Sequence, residues 1–295
     1  MLRLLLIFVC LLTISLPSLR GRPPQPARIE TTYLPNVVRV TPKVLSGGLP
    51  KGNDAFSELS KLGVRTVISV DGAIPDIQRA KKFGLRYVHL PHGYDGIPPN
   101  RLKQLAKAVW ELPAPIYIHC HHGKHRSPAA AAAACIAARQ LDSKLGLTVL
   151  QLAGTGHNYR GLHRSVAQAR PIQHTELKFS FQFPSIAKVS VVTESMVAIE
   201  RTFGNLQRLS NKNWRPSAAH PDLDAAHQAL MLKEHFTELK RLAGGDSDFQ
   251  RLAAKSLKSA TALERNLRAA KHAAASNTLA RITADCKTCH RVFRD

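Results

Sequence analysis

The run Ile116-Tyr117-Ile118-His119-Cys120-His121-His122-Gly123-Lys124-His125-Arg126-Ser127-Pro128 decides how the first half of this chain folds. It opens as a short apolar strand, 116–120, and closes with a proline in the first turn of an alanine-rich helix, 128–141. Between them lies a polar loop, with Cys120 at the strand end and Arg126 six residues on. Such a loop can turn successive backbone N–H groups toward one point, making an anion nest at a helix N-terminus. That field favours the thiolate form of Cys120. Arg126 can grip two oxygens of a tetrahedral anion in a fork and stabilise charge that develops on them. Ser127 can donate to the sulfur, and Gly123 relieves backbone strain inside the curl. His121, His122, Lys124 and His125 bring further positive charge to the anion's surroundings. A metal site built from these histidines is not expected, because their side chains should fan outward from a tight curl.

Outward from this run, strand and helix signals alternate. Short strands are predicted at 37–40 and 44–45, followed by a Gly47-Gly48 turn. A helix at 54–62 can be capped by Asn53 or Asp54 and ends at Gly63. The β-branched run 64–70 is a buried strand, 74–83 a helix stopping at Gly84, 85–90 a strand and 100–111 a helix. A helical stretch at 144–152 and a loop with Gly154 and Gly156 complete the unit near residue 175. This order predicts an α/β domain over 37–175, a mostly parallel sheet flanked by helices on both faces. Residues 21–36 read as a Pro/Arg-rich linker without periodicity. Residues 176–187 read as a connector with room for a short strand at 177–183.

The run at 119–127 resembles the His-Cys-x5-Arg-Ser/Thr signature of protein tyrosine and dual-specificity phosphatases. The resemblance extends over roughly 35–175 and includes Ser46-Gly47-Gly48-Leu49-Pro50, a segment that often opens such domains. It implies that Cys120 is the nucleophile, flanked by His119, that Arg126 clamps the phosphoryl group, and that Ser127 assists hydrolysis of a phosphocysteine intermediate. It also implies a general acid, an aspartate on a mobile loop upstream of the cysteine. Asp95, 25 residues before Cys120 and between Gly93 and Gly96, fits that role. Asp71, in Ser69-Val70-Asp71-Gly72, is the second candidate and reads more simply as a turn-forming Asp-Gly. His92 reads as a solvated loop side chain. Lys124 stands four residues after the cysteine, where phosphoinositide-type members of the superfamily also carry lysine. The implied substrate is therefore a phosphotyrosine- or phosphoserine-type monoester or an inositol phosphate. A rhodanese-type sulfurtransferase is the rival, since it too places a cysteine loop between strand and helix. Cys135 reads as a small residue packed on the sheet, with a redox partner for Cys120 as the alternative.

Length and charge agree with a two-part chain that meets anions. The chain has 295 residues, with 42 Lys and Arg against 20 Asp and Glu and a net charge of +22. The charge is spread out, with no dense basic run interleaved with aromatics, so a phosphorylated anionic substrate is expected and a specific nucleic-acid partner is not. Residues 1–20 read as a signal peptide, Arg3 preceding a 13-residue apolar run at 4–16 that is short for a bilayer span. An uncleaved N-terminal membrane anchor is the alternative, and either places the protein in the periplasm or another exported setting.

Beyond residue 188 the apolar period changes to 3.6. Stripes at 192, 196, 199, 203 and 206, along 223–242, from 249 to 267, and at 279, 282, 286, 289 and 293 predict four helices. Breaks near 216–221 and at Gly244-Gly245 suit an antiparallel, all-α four-helix bundle over 188–295. The last helix carries Cys286-Lys287-Thr288-Cys289-His290, the c-type haem attachment pattern. On a helix these three side chains share one side: two thiols for the haem vinyls and one imidazole for the iron. A disulfide or a zinc half-site is the simpler alternative. With Arg291, Phe293 and Arg294, this region resembles cytochrome c-prime and its relatives. That resemblance implies one covalent haem c, redox partner proteins and a bundle able to dimerise. Relatives divide by their sixth ligand, and Met196, on the first helix's apolar stripe, is the candidate here. The combined expectation is an exported phosphatase fused to a haem domain for electron transfer or for redox or gas sensing. The alternative is chiefly an electron-transfer or redox-sensing cytochrome with a regulated phosphatase-like domain.

Overall fold

A computed structural model describes residues 25–157, 159–216, 218, 221, 223–242 and 246–293. The export segment and the start of the linker lie outside the described residues, as do parts of the two interhelical breaks. Among the described residues no helix is long and apolar enough to cross a membrane.

The first half is built on one sheet of six strands: β1 (Ala27–Arg28), β2 (Val38–Thr41), β3 (Val44–Gly47), β4 (Thr66–Ser69), β5 (Arg86–His89) and β6 (Ile116–His119). Their order is β1-β2-β3-β6-β4-β5. β1, β2 and β3 pair antiparallel, whereas β3, β6, β4 and β5 run parallel, so the sheet is mixed. The β-branched and aromatic residues predicted as strands fill its centre. β6 is the middle of the parallel part, with Gly47 and Ser69 on its two neighbours both in register with His119. The C-terminal ends of β3, β4 and β6 therefore meet at one edge, the place where open α/β sheets hold ligands.

Helices cover both faces. α1 (Gly52–Lys61) and α2 (Ile77–Lys82) pack Phe56, Leu59 and Ala80 on one face, against Leu45, Val67, Tyr87 and Tyr117. α2 starts later than the predicted helix because Pro75 precedes it and the Asp76 side chain accepts from the Arg79 N–H as its cap. The other face carries α3 (Pro99–Glu111), α4 (Arg126–Ala137), α5 (Ser143–Ala153) and α6 (Arg160–Gln168). α4 is buried along its whole length. Alanine suits that position twice over, as the best helix former and as a side chain small enough to let the helix lie close on the sheet.

Three expectations need correction. Residues 27–36 are not a linker: β1 adds a strand, Leu34 is buried, and the Pro35 carbonyl accepts from the Gly48 N–H at 2.7 Å. The loop predicted after residue 153 contains a further helix, α6. The segment 177–183 is no strand. A 3-10 turn at His174–Leu177 leads into an irregular run whose Phe181 and Phe183 pack on the sheet-and-helix core. The run is also bonded to the edge of β5, where the His89 N–H donates to the Pro184 carbonyl at 2.8 Å. The connector is thus fastened along the first domain.

Among the described residues the C-terminal region has four helices: α7 (Val191–Ser210), α8 (Ala225–Leu242), α9 (Ser247–Arg268) and α10 (His272–Phe293). Their apolar stripes, including Leu206, Leu232, Phe236, Leu263 and Ile282, merge into one buried cluster. Consecutive helices pack side by side, and α10 returns to α7. Asp246 caps α9 by accepting from the Phe249 N–H at 2.9 Å. Ser190 caps α7 in the same way through the Thr193 N–H.

Candidate active site

Cys120 follows β6 directly and is 4% exposed. Its Sγ lies 3.3 Å from the Ser127 hydroxyl, and that hydroxyl donates to the Gly47 carbonyl at 2.9 Å. A serine has one hydrogen to give, so in this state the thiol is the donor to Ser127. The loop closes against the end of β3. Gly123 has φ +73°, and a Cβ there would stand 2.5 Å from the Gly48 nitrogen. Both the left-handed backbone and the close approach require glycine. The Gly123 carbonyl accepts from the Asn36 side chain at 2.8 Å, and the Lys124 carbonyl accepts from the Thr155 hydroxyl at 2.6 Å. The curl is thus pinned from two sides.

Arg126 opens α4 and is 8% exposed. Its guanidinium is 3.2 Å from the Asp71 carboxylate and lies 4.3 Å from the centre of the Tyr94 ring. Its Nε is buried with no hydrogen-bond partner among the described residues. Burial works against the charged guanidinium, but Tyr94, Asp71 and Cys120 outweigh it and hold Arg126 above its ordinary value. Asp71 is also buried. Burial would raise its carboxyl, yet Arg126 and the Ala73 N–H hold it below the usual range. Asp71 does make the expected Asp-Gly turn, accepting from the Ala73 N–H at 3.2 Å, but its larger role is to anchor Arg126. A carboxyl held ionised in this way is a poor proton donor.

His119 and His92 are both buried. His119 Nε2 is 2.5 Å from the Tyr87 hydroxyl, and burial above all pushes its imidazole down to about 4. His119 is thus a neutral support behind the loop. His92 was expected to be solvated. It is buried instead, bonded to the Gly93 carbonyl at 2.8 Å, and burial lowers it to about 3. His89 accepts from the Ala187 N–H through Nδ1, so its Nε2 carries the hydrogen that is donated to the Asp71 carbonyl at 2.7 Å. Through His89 the connector reaches the residue that anchors Arg126.

The loop residues do not all fan outward. His125 stacks on Tyr159 at 4.0 Å between centroids, and Lys124 is exposed. His121 and His122 instead sit with their rings 4.5 Å apart, both facing Glu200 of α7. His122 is lowered by burial first and by His121 second, with Glu200 opposing.

Asp95 is exposed on the loop between β5 and α3. The Ile97 N–H donates to the Ser165 hydroxyl at 2.9 Å, and Gly161 of α6 touches the Asp95 backbone so closely that no side chain fits there. Tyr94, the residue before it, covers the Arg126 guanidinium. The Asp95 loop therefore reaches the mouth of the cysteine loop and is held there by α6. Sequence reasoning missed Tyr94, Gly161, Ser165, Asn36 and Glu200. Only Asn36, beside Pro35 and ahead of a strand, carried a local turn signal.

Cys135 is fully buried in α4, and burial raises its thiol to about 12. It is a packing residue, as expected. In the C-terminal region Cys286 and Cys289 are free thiols on α10. Cys286 packs against the apolar cluster and Cys289 is 9% exposed. His290 is half-buried, and Met196 packs against the same cluster from α7. Beside them, the Asp285 carboxylate is tied to Lys255 at 2.9 Å and accepts from Ser259 at 2.8 Å.

No family model and no curated protein matches the chain. Among solved structures it is similar to P. aeruginosa TpbA, at 22% identity over 51% of this chain and 93% of that one, with a TM-score of 0.42. It is similar also to a putative phosphatase (DUF442) from Shewanella putrefaciens CN-32, at 21% identity over 46% of this chain and 95% of that one, TM-score 0.38. A third is the core catalytic domain of a PP-IP phosphatase from S. cerevisiae, at 16% identity over 52% of this chain and 92% of that one, TM-score 0.39. All three scores are below 0.5, and the chemistry assigned to the loop rests on its own residues.

Proposed function

We propose that the first domain is a cysteine-dependent phosphatase that hydrolyses phosphomonoesters through a phosphocysteine intermediate. The observation that carries this is the pairing of a buried thiol with a buried guanidinium whose Nε lacks a partner among the described residues. A buried donor left unmatched costs about 1–3 kcal/mol, and an anion at the loop removes that cost. The Cys120 thiolate attacks phosphorus as the bond to the leaving oxygen breaks. Arg126, fixed by Asp71, and the loop N–H groups hold the equatorial oxygens. Asp95 gives its proton to the leaving oxygen, then takes one from the water that attacks the phosphocysteine. When the phosphorus–sulfur bond breaks, the Ser127 hydroxyl can turn from the Gly47 carbonyl toward the sulfur and stabilise the departing thiolate. His121, His122, Lys124 and His125 add basic side chains around the loop, which suits a phosphotyrosine- or phosphoserine-type ester or an inositol phosphate.

Asp95→Asn tests the acid. It should slow hydrolysis of an alkyl phosphate by about 10²–10⁴-fold, and that of a nitrophenyl phosphate much less, because a good leaving group needs no proton. A rate unchanged by the substitution on both substrates would remove Asp95 as the acid.

The second domain is read as an antiparallel four-helix bundle of the cytochrome c-prime type, with one haem c held by Cys286, Cys289 and His290. The donors suit it: two thiols and an imidazole on one side of α10, partly buried, with Met196 on the same apolar cluster as the sixth-ligand candidate. Bound haem would supply a one-electron couple or a gas-binding iron. The chain's own part would be to anchor the ring through two thioethers from Cys286 and Cys289, to offer the His290 imidazole to the iron and to exclude water with the apolar cluster. Residues 1–20 read as an export signal, which puts both activities in the periplasm or a comparable compartment. A pyridine haemochrome spectrum of exported protein should show a c-type band that is lost in Cys286→Ala/Cys289→Ala. No such band in the parent protein sinks the haem assignment.

A further inference from the structure

Two neighbouring histidines of the cysteine loop face one glutamate of the C-terminal region. His121 Nε2 and His122 Nε2 each lie 3.8 Å from the same Glu200 oxygen. The three ligand atoms fall within 4.8 Å of one another. We propose that His121, His122 and Glu200 form a divalent transition-metal site, for zinc in the first instance, that joins the cysteine loop to helix α7.

Donor type favours zinc first of all. Two imidazoles and one carboxylate, with solvent for a fourth position, are a set that zinc accepts. Softer thiolates are not needed, and hard cations such as magnesium prefer oxygen. Distance comes second. Ligand atoms about 2.0–2.1 Å from a tetrahedral ion stand about 3.3–3.4 Å apart, so each nitrogen must close on the Glu200 oxygen by roughly half an ångström, and the two imidazole nitrogens, within 4.8 Å of each other, must draw together as well. Exposure comes third. The His121, His122 and Glu200 side chains are 29%, 65% and 52% exposed, so an ion can reach them and carry its own water. The site is also shared across the chain. The loop supplies two ligands and α7 the third, while Gly72, next to the Asp71 anchor, touches Thr193 one helical stretch before Glu200. An ion bound here fastens α7 over the side of the loop that carries His121 and His122.

Zinc titration by calorimetry on the full-length protein tests this. Cys120→Ser is the background, so that the loop thiolate does not compete, and Glu200→Gln and His122→Ala are each added to it. Whatever Cys286 and Cys289 hold is then the same in all three proteins. The expected result is one zinc fewer, or that zinc bound at least about tenfold more weakly, in both variants. Unchanged titration in both overturns the site, and a change in only one overturns the three-ligand arrangement. The readout makes no use of hydrolysis, so it is independent of whether Cys120 proves to be a nucleophile.

Discussion

Cys120→Ser should lower hydrolysis of an aryl phosphate by at least roughly 10⁴-fold while phosphate still binds. Two features of the site separate these effects. The proposed nucleophile is one atom, and a serine hydroxyl is a far weaker attacking group than a thiolate in the same place. The anion cradle is made of other parts: backbone N–H groups, Arg126, and the Gly123 curl packed on Gly47 and Gly48. A serine hydroxyl can hold a polar contact with Ser127 in place of the one the sulfur now makes at 3.3 Å. Trapping of radiolabelled phosphoenzyme in rapid quench gives the second check, since the covalent species must vanish with the thiol. Full activity in the variant removes Cys120 from the mechanism. A thiosulfate-dependent persulfide on wild-type Cys120, without hydrolysis, would favour sulfur transfer instead.

Arg126→Ala is expected to remove about 10³-fold in turnover and to cost about 3–5 kcal/mol in stability, because it breaks a buried ion pair as well as the phosphate clamp. Asp71 would be left buried without the guanidinium at 3.2 Å. Adding Asp71→Asn should recover much of the stability and none of the activity. That outcome separates the pair's structural role from the arginine's proposed role in catalysis. Acid titration gives an independent handle. The folded chain holds the Asp71 carboxyl below its ordinary 3.8, so the stabilisation is complete above that value and is lost as pH falls through the lower, folded value. Urea unfolding across the acid range should show that loss in wild type and a flatter profile in Arg126→Ala. Equal stability of the two proteins at every pH would mean the ion pair is not formed in solution.

These expectations draw on different depths of the sequence. The strand, loop and helix from Ile116 to Ala137 were legible, because β-branched residues, a polar loop and a proline-started alanine helix are local signals. The Asp71–Arg126 pair was not. The two residues are 55 positions apart, and they meet only because β4 and β6 are neighbours in register at Ser69 and His119. Helix α6 was missed for a different reason. Its buried residues are only Gly161, Leu162 and Val166, and Gly161, which signals a loop in isolation, is there to admit the Asp95 backbone. β1 is two residues long beside a proline-rich run, too short for any alternation to register. The approach of Glu200 to His121 and His122 is tertiary throughout, and no spacing in either segment foretells it.

Asn36 gives the N-terminal segment a meaning its composition conceals. Its amide donates to the Gly123 carbonyl and to the Ala153 carbonyl, both at 2.8 Å, from a left-handed backbone with φ 53°. One side chain, lying ahead of every predicted element, thus ties the floor of the cysteine loop to the end of α5. A protease that clipped the chain between Asn36 and Val37 would leave Cys120, Arg126 and Asp95 all in place. It would nonetheless strip the loop of its keystone, so that a cut at this one bond would act as an off-switch.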